Sequence, residues 1–102
     1  MSSLEKKYYF LKLVPKRADF AQTMSDEERN IMQQHVVYWK NYLDKGMVVV
    51  YGPVLDPKGV YGIGVVGVDN ENQLDELIKN DPAVKINDYE FYPMKAVVRE
   101  II

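Results

Sequence analysis

Ser25-Asp-Glu-Glu28 and Gly46 bracket the stretch that most limits how this chain of 102 residues can fold. A serine followed three residues later by glutamate is a capping box: the Ser25 hydroxyl accepts from the Glu28 amide, and the Glu28 carboxylate reaches back to the Ser25 amide. Asp26 and Glu27 place further negative charge at the positive end of the helix dipole. A helix is predicted from there to about Lys45, with Gly46 as the left-handed residue that ends it. At 1.5 Å per residue its roughly twenty residues span about 30 Å, so the rest of a small chain must pack along it.

The inward face of that helix carries the one histidine and the one tryptophan of the chain. With Ile31 at zero and 100° per residue, Tyr42 falls at about 20°, His35 at about 40°, Trp39 at about 80° and Leu43 at about 120°, a single apolar arc. His35 therefore faces the interior. Its position alone fits a core histidine satisfied by one or two hydrogen bonds. Histidine is also the side chain best suited to proton transfer near neutral pH, so His35 is the candidate general base or acid.

The flanking segments read as strands. Lys7 to Val14 is aromatic and aliphatic and stops at Pro15. A ten-residue loop, Pro15 to Met24, follows and holds Arg17 and Phe20; its length marks it as functional or mobile. Met47 to Tyr51 is a continuous β-branched run, interrupted by Gly52-Pro53. Asp56-Pro-Lys-Gly59 suits a type I turn into a strand from Val60 to Val68. Asp69-Asn70 caps a short helix with Leu74, Leu77 and Ile78 at helical spacing, ending near Lys79-Asn80. Asp81-Pro82 reads as a further N-cap with proline at the first helical position. Tyr89 to about Val98 is a last strand, with Pro93 marking an edge or bulge.

The order β-α-β-β-α-β is the ferredoxin-like arrangement of the α+β class, an antiparallel sheet with both helices on one face. Because the strands are apolar on both sides, the other face, carrying Tyr8, Phe10, Val48, Val50 or their alternates, needs a cover. A second copy is the expected one, giving a homodimer. One domain is expected over residues 1–102.

Composition narrows the chemistry. With 47% hydrophobic and 27% charged residues and a net charge of −2, neither nucleic acid nor an anionic membrane is an expected partner. The absence of cysteine excludes disulfides, thiolate zinc sites and cysteine nucleophiles, and one histidine leaves no advertised metal site. The start, Met1-Ser-Ser-Leu-Glu-Lys-Lys, lacks the apolar core of a signal peptide, so the cytoplasm is the expected location. No cofactor is expected. Gly62-Ile-Gly64-Val-Val-Gly67 spells G-x-G-x-x-G, yet it lies within a strand and opens no helix, so it does not read as a dinucleotide site. Gly62 and Gly64 share one face and leave room there for close helix packing or for a ligand. Arg17 is of a kind that reaches over a pocket to hold a carboxylate.

Taken together, Tyr9-Phe10, Leu13-Val14-Pro15, Arg17, Phe20, Met32-Gln-Gln-His35, Tyr38-Trp39, the run from Gly52 to Gly59, Asp81-Pro-Ala and Tyr89-Glu-Phe with Pro93-Met94 resemble the YCII-related (YciI-like) proteins over residues 8 to 98. The resemblance implies a ferredoxin-like fold dimerising into an α/β barrel. It also implies a site built on His35 and Asp81, with Gly52 and Pro53 as the family's Gly-Pro. The family includes a dehydrochlorinase acting on a chlorinated muconolactone, which makes lyase chemistry conceivable.

Two functions follow as expectations. In the first, Asp81 orients His35, which moves a proton on a small carboxylate-bearing or lactone-like substrate in an elimination or isomerisation. Arg17, Trp39, Tyr51, Gly52 and Pro53 would contact that substrate, with Tyr51 or Tyr38 supplying a hydroxyl. In the second, the protein is a non-catalytic dimer that binds a small ligand or only associates, with His35 as a core residue.

Overall fold

The structure is a computed structural model that describes residues 5–99; residues 1–4, on which part of the leader expectation rests, and 100–102 lie outside it. Its elements are β1 (Lys7–Pro15), α1 (Phe20–Thr23), α2 (Asp26–Asp44), β2 (Val48–Val54), β3 (Tyr61–Val68), α3 (Glu71–Lys79), a 3₁₀ turn (Pro82–Lys85) and β4 (Asn87–Met94). The four strands form one sheet in the order β2-β3-β1-β4, every neighbouring pair antiparallel. This is an α+β architecture of ferredoxin-like type, as the element order predicts.

Both ends of α2 form as their residue types dictate. The Ser25 hydroxyl accepts from the Glu28 amide at 3.1 Å and the Glu28 carboxylate accepts from the Ser25 amide at 2.9 Å. At the other end Gly46 adopts φ 88°. The Gly46 amide donates to Leu43 and the Met47 amide to Tyr42, both at 3.0 Å, the paired bonds of a Schellman ending. Trp39 of α2 and Leu74 and Leu77 of α3 then share one core cluster with Leu11, Val48, Val66 and Val68, so both helices cover the same face of the sheet.

Three expectations need correcting. The segment 15–24 is not all loop, because Phe20–Thr23 winds into one helical turn whose buried Phe20 anchors it. Gly52-Pro53 does not break β2: Gly52 pairs with Ile63 and Pro53 with Gly62. As β2 is an edge strand, one row of its N–H groups has no ladder partner and a proline is tolerated. The last strand begins two residues earlier than expected, at Asn87, and ends at Met94. Its Pro93 sits on the opposite sheet edge, paired with Tyr9.

A register shift between Val48 and Val50 sends these two valines to different faces. Val48 is buried beneath the helices while Val50 is about half exposed. Val50 therefore joins Tyr8, Phe10, Ile63, Val65, Tyr92 and Met94 on the face that no helix covers. Among the described residues no helix is long and apolar enough to cross a membrane.

Gly64 sets how closely α2 approaches. A Cβ there would stand 2.5 Å from Trp39 Cζ3 and 2.7 Å from Cη2, so the bare glycine is the seat of the indole. Gly62, two residues away on the same face, has only Leu13 at 3.4 Å. Gly64→Ala is expected to cost about 1–3 kcal/mol in urea unfolding, the usual penalty for overpacking a core. Gly62→Ala, with ordinary contacts, should leave stability unchanged or slightly raised.

Candidate active site

Asp81 follows α3 and caps the 3₁₀ turn, its Oδ1 accepting from the Ala83 amide at 2.9 Å. That structural duty uses one face of the carboxylate. Only 1% of the residue is exposed, and the rest of the carboxylate receives three side chains. His35 Nδ1 lies 2.8 Å from Oδ2 and 3.0 Å from Oδ1, and Trp39 Nε1 donates to Oδ2 at 2.8 Å. The Tyr89 hydroxyl donates to Oδ2 as well and stands 3.2 Å from Trp39 Nε1. His35 and Trp39 reach the same acceptor because residues four apart share a helix face.

Burial works against the Asp81 charge. The hydrogen bond and charge of His35, the Tyr89 hydroxyl and the Ala83 amide outweigh it, so this carboxyl sits below its ordinary value. The same arrangement acts oppositely on Tyr89, where burial and then the adjacent carboxylate push the phenol well above its ordinary value. An ionised Asp81 facing Nδ1 requires a proton on that nitrogen, which leaves Nε2 of the neutral imidazole as the acceptor.

Nε2 has no hydrogen-bond partner among the described residues, where no buried side-chain nitrogen or oxygen lacks one. It must therefore reach accessible space. His35 lines a cavity of about 460 Å³ between α1, α2 and the covered face of the sheet. Its walls are mostly apolar and aromatic, including Leu11, Leu13, Phe20, Met24, Met32, Trp39 and Tyr51, with Gly62 and Gly64 on the sheet side. Gly52 and Pro53 also line it.

The structure thus brings His35, Asp81, Trp39, Tyr51, Gly52 and Pro53 to one place, and two expected residues fall elsewhere. Arg17 does not line the cavity. Its guanidinium is spent on a two-pronged pairing with Glu28, at 2.8 and 3.0 Å, and on the side chain and carbonyl of Thr23. The Arg17 hydrogen bond, with the Ser25 amide behind it, holds the Glu28 carboxyl down to about 2. Tyr38 points to α3, donating to the Leu77 carbonyl at 2.8 Å. The Tyr51 hydroxyl donates to the Val36 carbonyl at 3.2 Å. The hydroxyl beside His35 and Asp81 is that of Tyr89. Its one signal in sequence is alternation in the last strand, and it becomes readable only once Tyr89 is set opposite Leu13 on the helix side.

The sequence model of the YCII-related domain matches residues 9–98. No protein of curated function matches the chain significantly.

Two measurements follow from this geometry. Tyr89→Phe removes a hydrogen bond to a buried charge and is expected to cost about 1.5–3 kcal/mol by urea unfolding. Asp81 titrates lower in the folded protein than the ordinary 3.8, so its contribution is present above that value and is lost as pH falls through the native one. Acid unfolding followed by Trp39 fluorescence should accordingly lose that part of its pH dependence in Asp81→Asn. An identical acid limb in both proteins contradicts the assignment.

Proposed function

The chain belongs to the YCII-related family, and from that membership we propose that the cavity beside His35 is the active site of a small-molecule enzyme of lyase or isomerase type. The observation that carries the reading is the fixed imidazole: Asp81 occupies Nδ1 at 2.8 Å while Nε2 is left to the cavity. Nε2 takes a proton from a carbon next to a carbonyl, and the electron pair of the broken C–H bond moves into an enolate. The imidazolium formed is stabilised by the Asp81 carboxylate already in contact with it. In an isomerisation the same proton returns to a different carbon as the enolate collapses. In an elimination the pair expels a leaving group from the adjacent carbon, and the proton passes from His35 to solvent.

The cavity favours a lactone-like substrate over a free carboxylate. Neither lysine nor arginine lines it, and Arg17 is held by Glu28. An anion would also meet the Asp81 charge at short range. Exchange of solvent deuterium into α-angelica lactone, an unsaturated γ-lactone, measures proton abstraction directly by NMR. Wild type should accelerate it, and His35→Gln should reduce the effect at least about a hundredfold, the scale of general-base catalysis. Equal rates in the two proteins would remove the catalytic reading and leave a ligand-binding module.

The reading includes a homodimer. Phe10 lies between Val65 and Tyr92 in the middle of the uncovered face, and a second copy laid against it closes two sheets into a barrel. Light scattering should give twice the chain mass for wild type and the single mass for Phe10→Asp. A monomeric wild type would overturn it.

A further inference from the structure

Asn87 opens β4 on the same side of the sheet as Tyr89 and is 3% exposed. Its Nδ2 donates to the Ala83 carbonyl at 3.2 Å and lies 3.6 Å from Met32 Sδ. The carbonyl contact fixes the amide, since the flipped form would set oxygen against oxygen. Oδ1 then has no donor among the described residues, where no side-chain oxygen is both sealed from solvent and unpaired. The accessible remnant of Asn87 lines the cavity, so Oδ1 opens there. Met32 stands one turn before His35 on α2, and Met32, His35 and Asn87 all line the cavity.

Both atoms turned toward the cavity by His35 and Asn87 are acceptors, Nε2 of the neutral imidazole and Oδ1 of the amide. Two of the three tyrosine hydroxyls of the lining are already used, Tyr89 donating to Asp81 and Tyr51 to the Val36 carbonyl, and the third belongs to Tyr61 at the start of β3. No cationic side chain of lysine or arginine lines the space. Two acceptors beside a buried carboxylate repel an anion and are satisfied by O–H or N–H groups.

We infer that Asn87 is a specificity-determining residue that selects a neutral substrate bearing a hydroxyl or amide N–H, which donates to Oδ1 while the acidic carbon faces His35. The inference rests on the active-site reading above for placing substrate in this cavity. A site built to receive a donor discriminates against analogues lacking one, because the buried acceptor is then left unpaired.

Calorimetric titration with para-cresol, para-methylanisole and para-toluate, alike in ring and methyl group, tests it. Wild type should bind the cresol about tenfold more tightly than its methyl ether, the effect of pairing one buried acceptor, and the toluate most weakly. In Asn87→Leu, close in volume, the cresol and the ether should come within about twofold of each other. Leucine also loses the bond to Ala83, so Trp39 fluorescence reports whether the variant folds; the wild-type ranking decides the matter if it does not. Toluate binding as tight as cresol, equal affinities for cresol and ether, a preference retained in folded Asn87→Leu, or no cresol binding at millimolar concentration overturns the inference. Absence of a cresol preference in wild type, with His35-dependent lactone exchange intact, removes the role of Asn87 alone. A cresol preference without exchange removes catalysis and keeps Asn87 as a selector of ligands.

Discussion

The Asp81 carboxylate is the contact on which the arrangement depends. An isolated charge at 1% exposure would cost several kcal/mol, and four donors from three elements offset that cost. Those donors come from the middle of α2, the 3₁₀ turn and β4. The turn, the long helix and the edge strand are thereby tied to one pair of oxygen atoms, in a region where apolar contact alone would leave their relative orientation soft. The tie is also chemical, since the atom that receives it on His35 decides which nitrogen carries the proton.

Trp39 supplies the second half of this organisation. Its indole edge bonds Asp81 while its ring rests on the bare backbone of Gly64 and meets Tyr51 at 5.8 Å between centroids. At that point the helix touches the sheet. One pleat further along, at Gly62, the sheet again has no side chain and nothing from α2 comes down to fill the gap. Two glycines of the same strand face therefore do different jobs, one admitting a ring and the other flooring a cavity. Of the two expected uses, close helix packing holds at Gly64, while Gly62 borders open space.

Much of the fold is legible in the residues. The capping box, Gly46 and the β-branched run after it determine α2 and its exit locally, and local signals survive folding unchanged. From the local residues Asp81 is legible only as a cap, and its pairing with His35 enters through the family resemblance, because that second role depends on a helix 46 residues away in the chain. Arg17 was misleading for a related reason: a lone arginine on a loop has no visible partner in sequence, and here its partner is Glu28 of the capping box. Tyr89 reads in sequence only as a strand residue and Asn87 not at all, because their importance to the site lies in register. The strand carrying them begins two residues before its aromatic run does, and only the pairing of Asn87 with Pro15 and Tyr89 with Leu13 turns them toward the helices.

Pro53 and Pro93 stand in the two outermost strands of the sheet. Each withholds an N–H from the row that a passing strand would need in order to add to the sheet, so both borders are poor templates for a fifth strand. Lateral growth, the route by which open sheets become fibrils, is thus blunted at each end by a single ring. The pairing of copies proposed above would then fall to the broad uncovered face, where association would stop once that face is covered.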